Sequence, residues 1–263
     1  MLLDVEIGGG IQRNHLNHYN LRLSLCKFSA MKQLLFLSVI SIALSSCDMI
    51  SGSGNIITQT RATGDFRSIS ASSGFNVELK TGPTAEIVLE ADDNVMKYLE
   101  TTVSGDNLTI GIKNNVGLSN AHLKAYITAL QIDGIKASSG ADVMVTGLLK
   151  NAGKLSFNAS SAGTITADID APQVEADASS GASVKLSGKT KNFAATVSSG
   201  SNMKAGDLLS ESTNVSASSG SHATVHASVN LKANASSGAS INYFGAANVD
   251  KTVSSGGSVS KND

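Results

Sequence analysis

The chain has 263 residues, 41% of them hydrophobic, with 20 basic and 21 acidic side chains. That length and composition support one or two domains with a buried core and exclude disorder of the whole chain, and a formal net charge of −1 offers no basic footprint for nucleic acid. Two cysteines, Cys26 and Cys47, exclude a disulfide framework and a cysteine-ligated zinc site, while 40 serines and 25 glycines against 11 aromatics and only Pro83 and Pro172 point to β structure built from small residues.

The first legible element is an address. Residues 34–44 are mostly apolar, follow Lys32 and lead into small residues ending at Cys47, which is the layout of a secretory signal. The run is shorter than the ~20 apolar residues of a membrane-spanning helix. Leu44-Ser45-Ser46-Cys47 looks like a bacterial lipobox, in which the cysteine becomes the acylated first residue; the competing reading is a buried helix that happens to hold a cysteine. Met31-Lys32-Gln33 reads as the start. Residues 1–30 are then an upstream extension, 31–46 a lipoprotein signal peptide, and 47–54, with Ser51-Gly52-Ser53-Gly54, a flexible tether. From Cys47 onward the chain keeps 16 basic and 19 acidic residues.

Residues 55–130 are the irregular N-terminal part of the domain. Phe66 to Lys80 resembles the repeat described below, Glu86 to Glu90 reads as a strand, and Asp92 to Leu99 as a short helix capped by an acidic residue. Two strand runs flank Gly105-Asp106-Asn107, and Leu123 to Ile132 alternates into the first regular coil. This part is expected to cap one end of the sheet.

Residues 131–263 are a repeat. Ser-Ser-Gly recurs with first serines at 138, 179, 198, 218, 236 and 254, with a Ser-Ser-Ala-Gly variant at Ser160 and an outlying copy at Ser72. Three residues beyond the glycine slot stand Val77, Val143, Ile165, Val184, Met203, Ala223, Ile241 and Val259, and the intervening position is polar. Upstream, the same parity places Ile69, Ile135, Phe157, Ala176, Ala195, Val215, Ala233 and Lys251 inward. Period-two alternation means strands with one buried face. A strand pair, a bend and a polar return turn such as 187–192, repeated every ~20 residues, is the unit of a β-solenoid whose coils complete one another's core. The apolar column is expected to climb about 4.8 Å per coil. Lys251 and Lys261 in inward slots mark a frayed or capping last coil.

By parity the second serine of each triplet (Ser73, Ser139, Ser161, Ser180, Ser199, Ser219, Ser237, Ser255) points inward as a structural serine ladder. A row of nucleophiles is the sharper reading, but no His or Asp recurs in register to activate one. Ala162 occupies the glycine slot once, so a positive φ is not expected to be obligatory there.

The lipobox, Gly52-Ser53-Gly54-Asn55, Phe66 to Lys80, Val88 to Leu99, Leu108 to Ile112 and the Ser-Ser-Gly coils together resemble the bacterial "putative auto-transporter adhesin, head GIN domain" family over roughly residues 54–250. The resemblance implies a right-handed single-stranded parallel β-helix with ~20-residue coils, carried by a surface or periplasmic lipoprotein of Bacteroidetes type. It brings no catalytic residues.

The site chemistry is sparse. A β-helix enzyme acting on acidic polysaccharide would need carboxylates converging from adjacent coils; the candidates Asp142, Asp168, Asp170, Glu175 and Asp177 do not share one register. His222 and His226 lie four apart on a strand, about 13 Å, too far to share an ion, and His122 has no acidic neighbour in sequence. Tyr98 and Tyr126 are the rings to consider for sugar stacking. The expectation is therefore an all-β, adhesin-like, non-enzymatic envelope lipoprotein with no catalytic, metal or cofactor site. Cys47 anchors it to the membrane, and a glycan or envelope protein is the partner; the runner-up is the acidic-polysaccharide enzyme or binding protein.

Overall fold

The computed structural model describes residues 49–262; the extension 1–30, the signal 31–46 and Cys47 lie outside the described residues. Within that span the chain is strand and turn, and its one described helix is a single 3-10 turn, Met96–Tyr98. The coils stack in parallel as a β-solenoid. Val77, Val143, Ile165, Val184, Met203, Ala223, Ile241 and Val259 pair successively up one column. Ile69, Ile135, Phe157, Ala176, Ala195, Val215, Ala233 and Lys251 pair up a second. Every member from Ile69 to Ile241 is buried. Burying an Ile, Val or Phe contributes about 1.5–3 kcal/mol. The alanine levels contribute less and let the two sides of the coil approach closely.

The corner between the strands departs from the parity reading. In all eight copies the second serine and the residue in the glycine slot both have positive φ, for example Ser139 at 50° and Gly140 at 76°. The turn closes from the Ala141 N–H to the Ser138 carbonyl at 3.0 Å. Two successive left-handed residues inside a four-residue hydrogen-bonded turn are the type I′ pattern. Alternation holds on both sides of it, since Ala137 and Ala141 are both buried, but the second serine is swung to the turn tip and is exposed from Ser139 to Ser255. The inward serine ladder is therefore absent. At the corners the buried hydroxyls are those of Ser201 and Ser221, one residue past the slot: Ser201 Oγ donates to the Ala178 carbonyl at 2.7 Å and Ser221 Oγ to that of Val197 at 2.9 Å. Ala162 does not escape the rule either, having φ 61°.

The expected return turn at 187–192 is also replaced. Ser183–Val197 runs as one strand beside Thr164–Ala178, with Asp168 opposite Ser187 and Asp170 opposite Lys189, so a third ladder closes the coil. Gly188 makes this possible: a Cβ there would lie 2.1 Å from the Ile169 carbonyl oxygen.

The outlying Ser72 copy is a full member of the stack. Ser68–Ala71 lies between Asn107–Ile112 and Gly134–Ala137, and Asn76–Thr81 between Leu123–Ala129 and Asp142–Lys150. Its Gly74 N–H donates to the Ser139 carbonyl, joining it to the next corner. Regular stacking thus begins at residue 68 rather than 131. The intervening chain forms the cap, in which Ile56–Arg61 pairs antiparallel with Glu86–Asp92, Glu86–Asp92 with Leu123–Ala129, and Leu99–Ser104 with Asn107–Ile112. At the other end Asn248–Val253 and Ser258–Lys261 are paired in register and not frayed, with Lys251 and Lys261 exposed.

Asp92 caps no helix. Its buried carboxylate accepts the backbone N–H groups of His122 at 2.7 Å and Gly54 at 2.6 Å. Beside it Asp93 receives Ser53 Oγ at 2.6 Å and Asn55 Nδ2 at 2.8 Å. Met49–Ser51 pairs in parallel with Gly117–Ser119. Residues 49–54, expected as a flexible tether, are therefore docked onto the cap. Gly52 is required there, because a Cβ would meet Asp92 Oδ2 and the Asn120 carbonyl oxygen at 2.6 Å.

Two outcomes follow from these contacts. A left-handed alanine costs about 1–2 kcal/mol, less the ~0.5–1 kcal/mol of extra chain entropy glycine loses on folding; Ala162→Gly should therefore raise stability by about 0.5–1 kcal/mol in denaturant titrations, and Gly181→Ala should lower it. The His122 and Gly54 N–H groups hold the Asp92 carboxyl below its ordinary range. Its contribution is intact above the unfolded aspartate value of about 3.9 and is lost as pH falls through the lowered folded one. Hydrogen exchange at Gly54, corrected for intrinsic rate, should accelerate in acid, and in Asp92→Asn already at neutral pH.

Candidate functional site

The register that aligns the core also aligns the outward side chains. On the strands leading into the corners, Gln173, Asn192, Ser212, Asn230 and Asn248 are successive partners, and Glu175, Ala194, Asn214, Lys232 and Asp250 form the neighbouring row. Between the rows runs a groove of about 560 Å³ whose floor includes Phe193, Thr213 and Leu231. One wall is amides and a hydroxyl repeating at the strand spacing of about 4.8 Å, the other mixes charges with Ala194 and Asn214, and the repeating wall suits a ligand that is itself extended and rich in hydroxyl groups.

The register sets most of the acidic candidates on different ladders; only Asp168 with Asp170 and Glu175 with Asp177 lie two apart on one strand and share its outward face. Asp142 stands between Asn76 and Thr164, Glu175 between Ser156 and Ala194, and Asp177 between Asn158 and Thr196. Glu175 is paired with Lys154, Asp170 with Lys189 at 3.3 Å, and Asp168 accepts Ser187 Oγ at 3.0 Å. The Asp142 carboxyl, partly withdrawn from water, titrates above the ordinary aspartate range, yet its partners across the ladders are Asn and Thr. Glu175 and Asp250 both line the groove but stand four coils apart, about 19 Å at the strand spacing. Paired glycosidase carboxylates sit about 5–9.5 Å apart.

His122 finds an acidic partner that its sequence neighbours do not supply: Nε2 lies 2.7 Å from Glu90 Oε1 on the antiparallel cap strand. His222 is held by neighbouring hydroxyls, its Nδ1 lying 2.6 Å from Ser240 Oγ and its Nε2 3.3 Å from Thr224 Oγ1. No group of three or more His, Cys, Asp or Glu side chains suited to a metal occurs among the described residues. The tyrosines considered for stacking are covered by ammonium groups, Tyr98 by Lys97 at 5.0 Å and Tyr126 by Lys124 at 4.7 Å from the ring centres. The ring that sequence reasoning passed over is Phe244, half-exposed beside Thr224. The available signal was its place one residue beyond the inward Tyr243.

Residues 65–247 match the family described as "Putative auto-transporter adhesin, head GIN domain". The chain belongs to this family. No curated protein is similar enough to count as a relative. Among solved structures, a "putative adhesin" from Bacteroides fragilis NCTC 9343 is 21% identical, covering 81% of this chain and all of its own, with a TM-score of 0.75. A "putative lipid binding protein" from Parabacteroides distasonis ATCC 8503 is 19% identical over 82% of this chain and all of its own, at 0.68. A "putative adhesin" from Parabacteroides merdae ATCC 43184 has the same identity, coverage and score. At these identities the likeness establishes the shared solenoid fold.

Proposed function

We propose that this GIN-domain protein is a lipid-anchored, non-enzymatic interaction module of the bacterial cell envelope, adhesin-like, holding a glycan or another envelope protein along its outward coil faces. The observation that carries the proposal is the groove between the Gln173-to-Asn248 and Glu175-to-Asp250 rows. An extended polymer laid along the axis meets an amide or hydroxyl of the Gln173-to-Asn248 row at each coil, and many weak contacts multiply through avidity on a surface that displays many copies. The family description and the adhesin descriptions of the similar structures support the same reading. The anchor is Cys47, by the lipobox Leu44-Ser45-Ser46-Cys47; a diacylated cysteine supplies the two chains that lasting attachment needs.

Two experiments test the proposal. Cys47→Ala should move the protein from the membrane to the soluble fraction, and a wild-type mature chain beginning elsewhere would count against the anchor. The full chain in detergent, immobilised and challenged with neutral and acidic polysaccharides and with envelope protein extracts, should retain a partner, and Asn192→Ala with Asn230→Ala should weaken retention severalfold. New reducing or unsaturated ends that vanish in Asp142→Asn or Asp168→Asn would overturn the non-enzymatic reading.

A further inference from the structure

The strands leaving the corners carry a second groove, of about 480 Å³, whose lining includes Lys185, Lys204, Asp207, His222, Thr224 and Phe244. Lys185 and Lys204 are direct partners on adjacent coils, so their Cα atoms lie about 4.8 Å apart. Both are exposed on the outward face. Like charges directly opposite on one sheet face repel and destabilise it.

Four cations of the described chain stand beside carboxylates, Lys154 with Glu175, Lys189 with Asp170, Lys124 with Glu78 and Arg67 with Asp133, whereas Lys185 and Lys204 face each other across a ladder. Neither Lys185 nor Lys204 belongs to an ion pair among the described residues, and Asp207 does not come within pairing distance of them. Two adjacent ammonium groups are thus held in one groove with no carboxylate within pairing distance. The rest of the lining is ordered. Ser240 and Thr224 fix the His222 ring. The Phe244 ring lies over Gly206, where a Cβ would approach its edge to 3.1 Å, so the glycine lets the ring form an apolar wall.

We infer that this groove binds the anionic substituent, carboxylate or sulfate, of an acidic glycan. Lys185 and Lys204 bracket the anion, and Phe244 supports the apolar face of the ring. The inference rests on the interaction-module reading and deepens it by naming the ligand class and a second place of contact. It requires no bond to form or break.

The test uses the full chain in detergent with three probes: a polyuronate, a sulfated galactan and a neutral glucan. Retention of one or both polyanions over the glucan is expected, weakening as added salt shortens the screening length below ~8 Å. Which polyanion is held identifies the anion. Lys185→Gln with Lys204→Gln should weaken it about tenfold or more, the loss of roughly one charge-assisted contact or better. Lys136→Gln with Lys150→Gln, an equal charge change elsewhere on the coils, should leave it unchanged. Equal retention by the Lys185/Lys204 variant and the wild type, or equal losses in the two double variants, would overturn the inference. Retention of only the neutral glucan or an envelope protein would overturn it while the broader reading stands. Retention of nothing in either panel would overturn both.

Discussion

The structure depends on hydrogen bonding that continues through the corners. At each Ser-Ser-Gly turn but the last the N–H of the slot residue donates to the second serine carbonyl of the following coil, as from Gly140 to Ser161, Gly181 to Ser199 and Gly220 to Ser237, all at 3.0–3.1 Å. The first serine N–H reaches back one coil, as from Ser138 to Ala71. Both depend on two consecutive left-handed residues, a conformation that an L-residue adopts at a cost of about 1–2 kcal/mol. The coils retain it because a corner with unpaired backbone would interrupt the ladder that fixes the column spacing. Glycine in most slots lowers that cost, and serine at the tip places only a small, soluble side chain in water.

The columns were legible because period-two alternation reports burial wherever the backbone is extended, and the residues from Ile69 to Ile241 kept that phase. The same logic failed at the corners. Parity assumes an extended chain, and nothing in Ser138-Ser139-Gly140 distinguishes a left-handed pair from a bend, while Ala162 argued in the wrong direction. Gly188 and its polar neighbours looked like a turn because their outward side chains meet solvent, although the backbone beneath remains in a ladder. Asp92 was illegible for another reason: its partners are backbone N–H groups 30 and 38 residues away, which no side-chain pattern announces. The polar outward rows could be read from the repeat. The lysine over each tyrosine and the exposure of Phe244 required the fold.

One register therefore serves two surfaces with different tolerances. An inward residue must fit between the coils on either side, so Val184 is confined between Ile165 and Met203. An outward residue touches its vertical neighbours only at the edge, and its replacement changes stability little. This asymmetry accounts for an interior confined to small and apolar residues beside outward rows that mix amides, hydroxyls and charges. Chemistry can vary on such a face without disturbing the scaffold that spaces it.

The position of the Ser72 coil bears on how the stack assembles. Because Ser68–Ala71 and Asn76–Thr81 lie between strands drawn from 107–129 and 134–150, the earliest coil in the chain cannot be completed until residue 145 or so is available. Growth from the N-terminus one coil at a time, open to a simple solenoid, is closed to this one. Assembly must bring the cap and the first regular coils together over a long loop, a step whose entropic cost precedes its contacts. Once that nucleus exists, each later coil adds to a finished edge with mostly local contacts. The long-loop step of folding thereby belongs to the capped end, whereas the coils toward Lys251 form through pairings between neighbouring segments of chain.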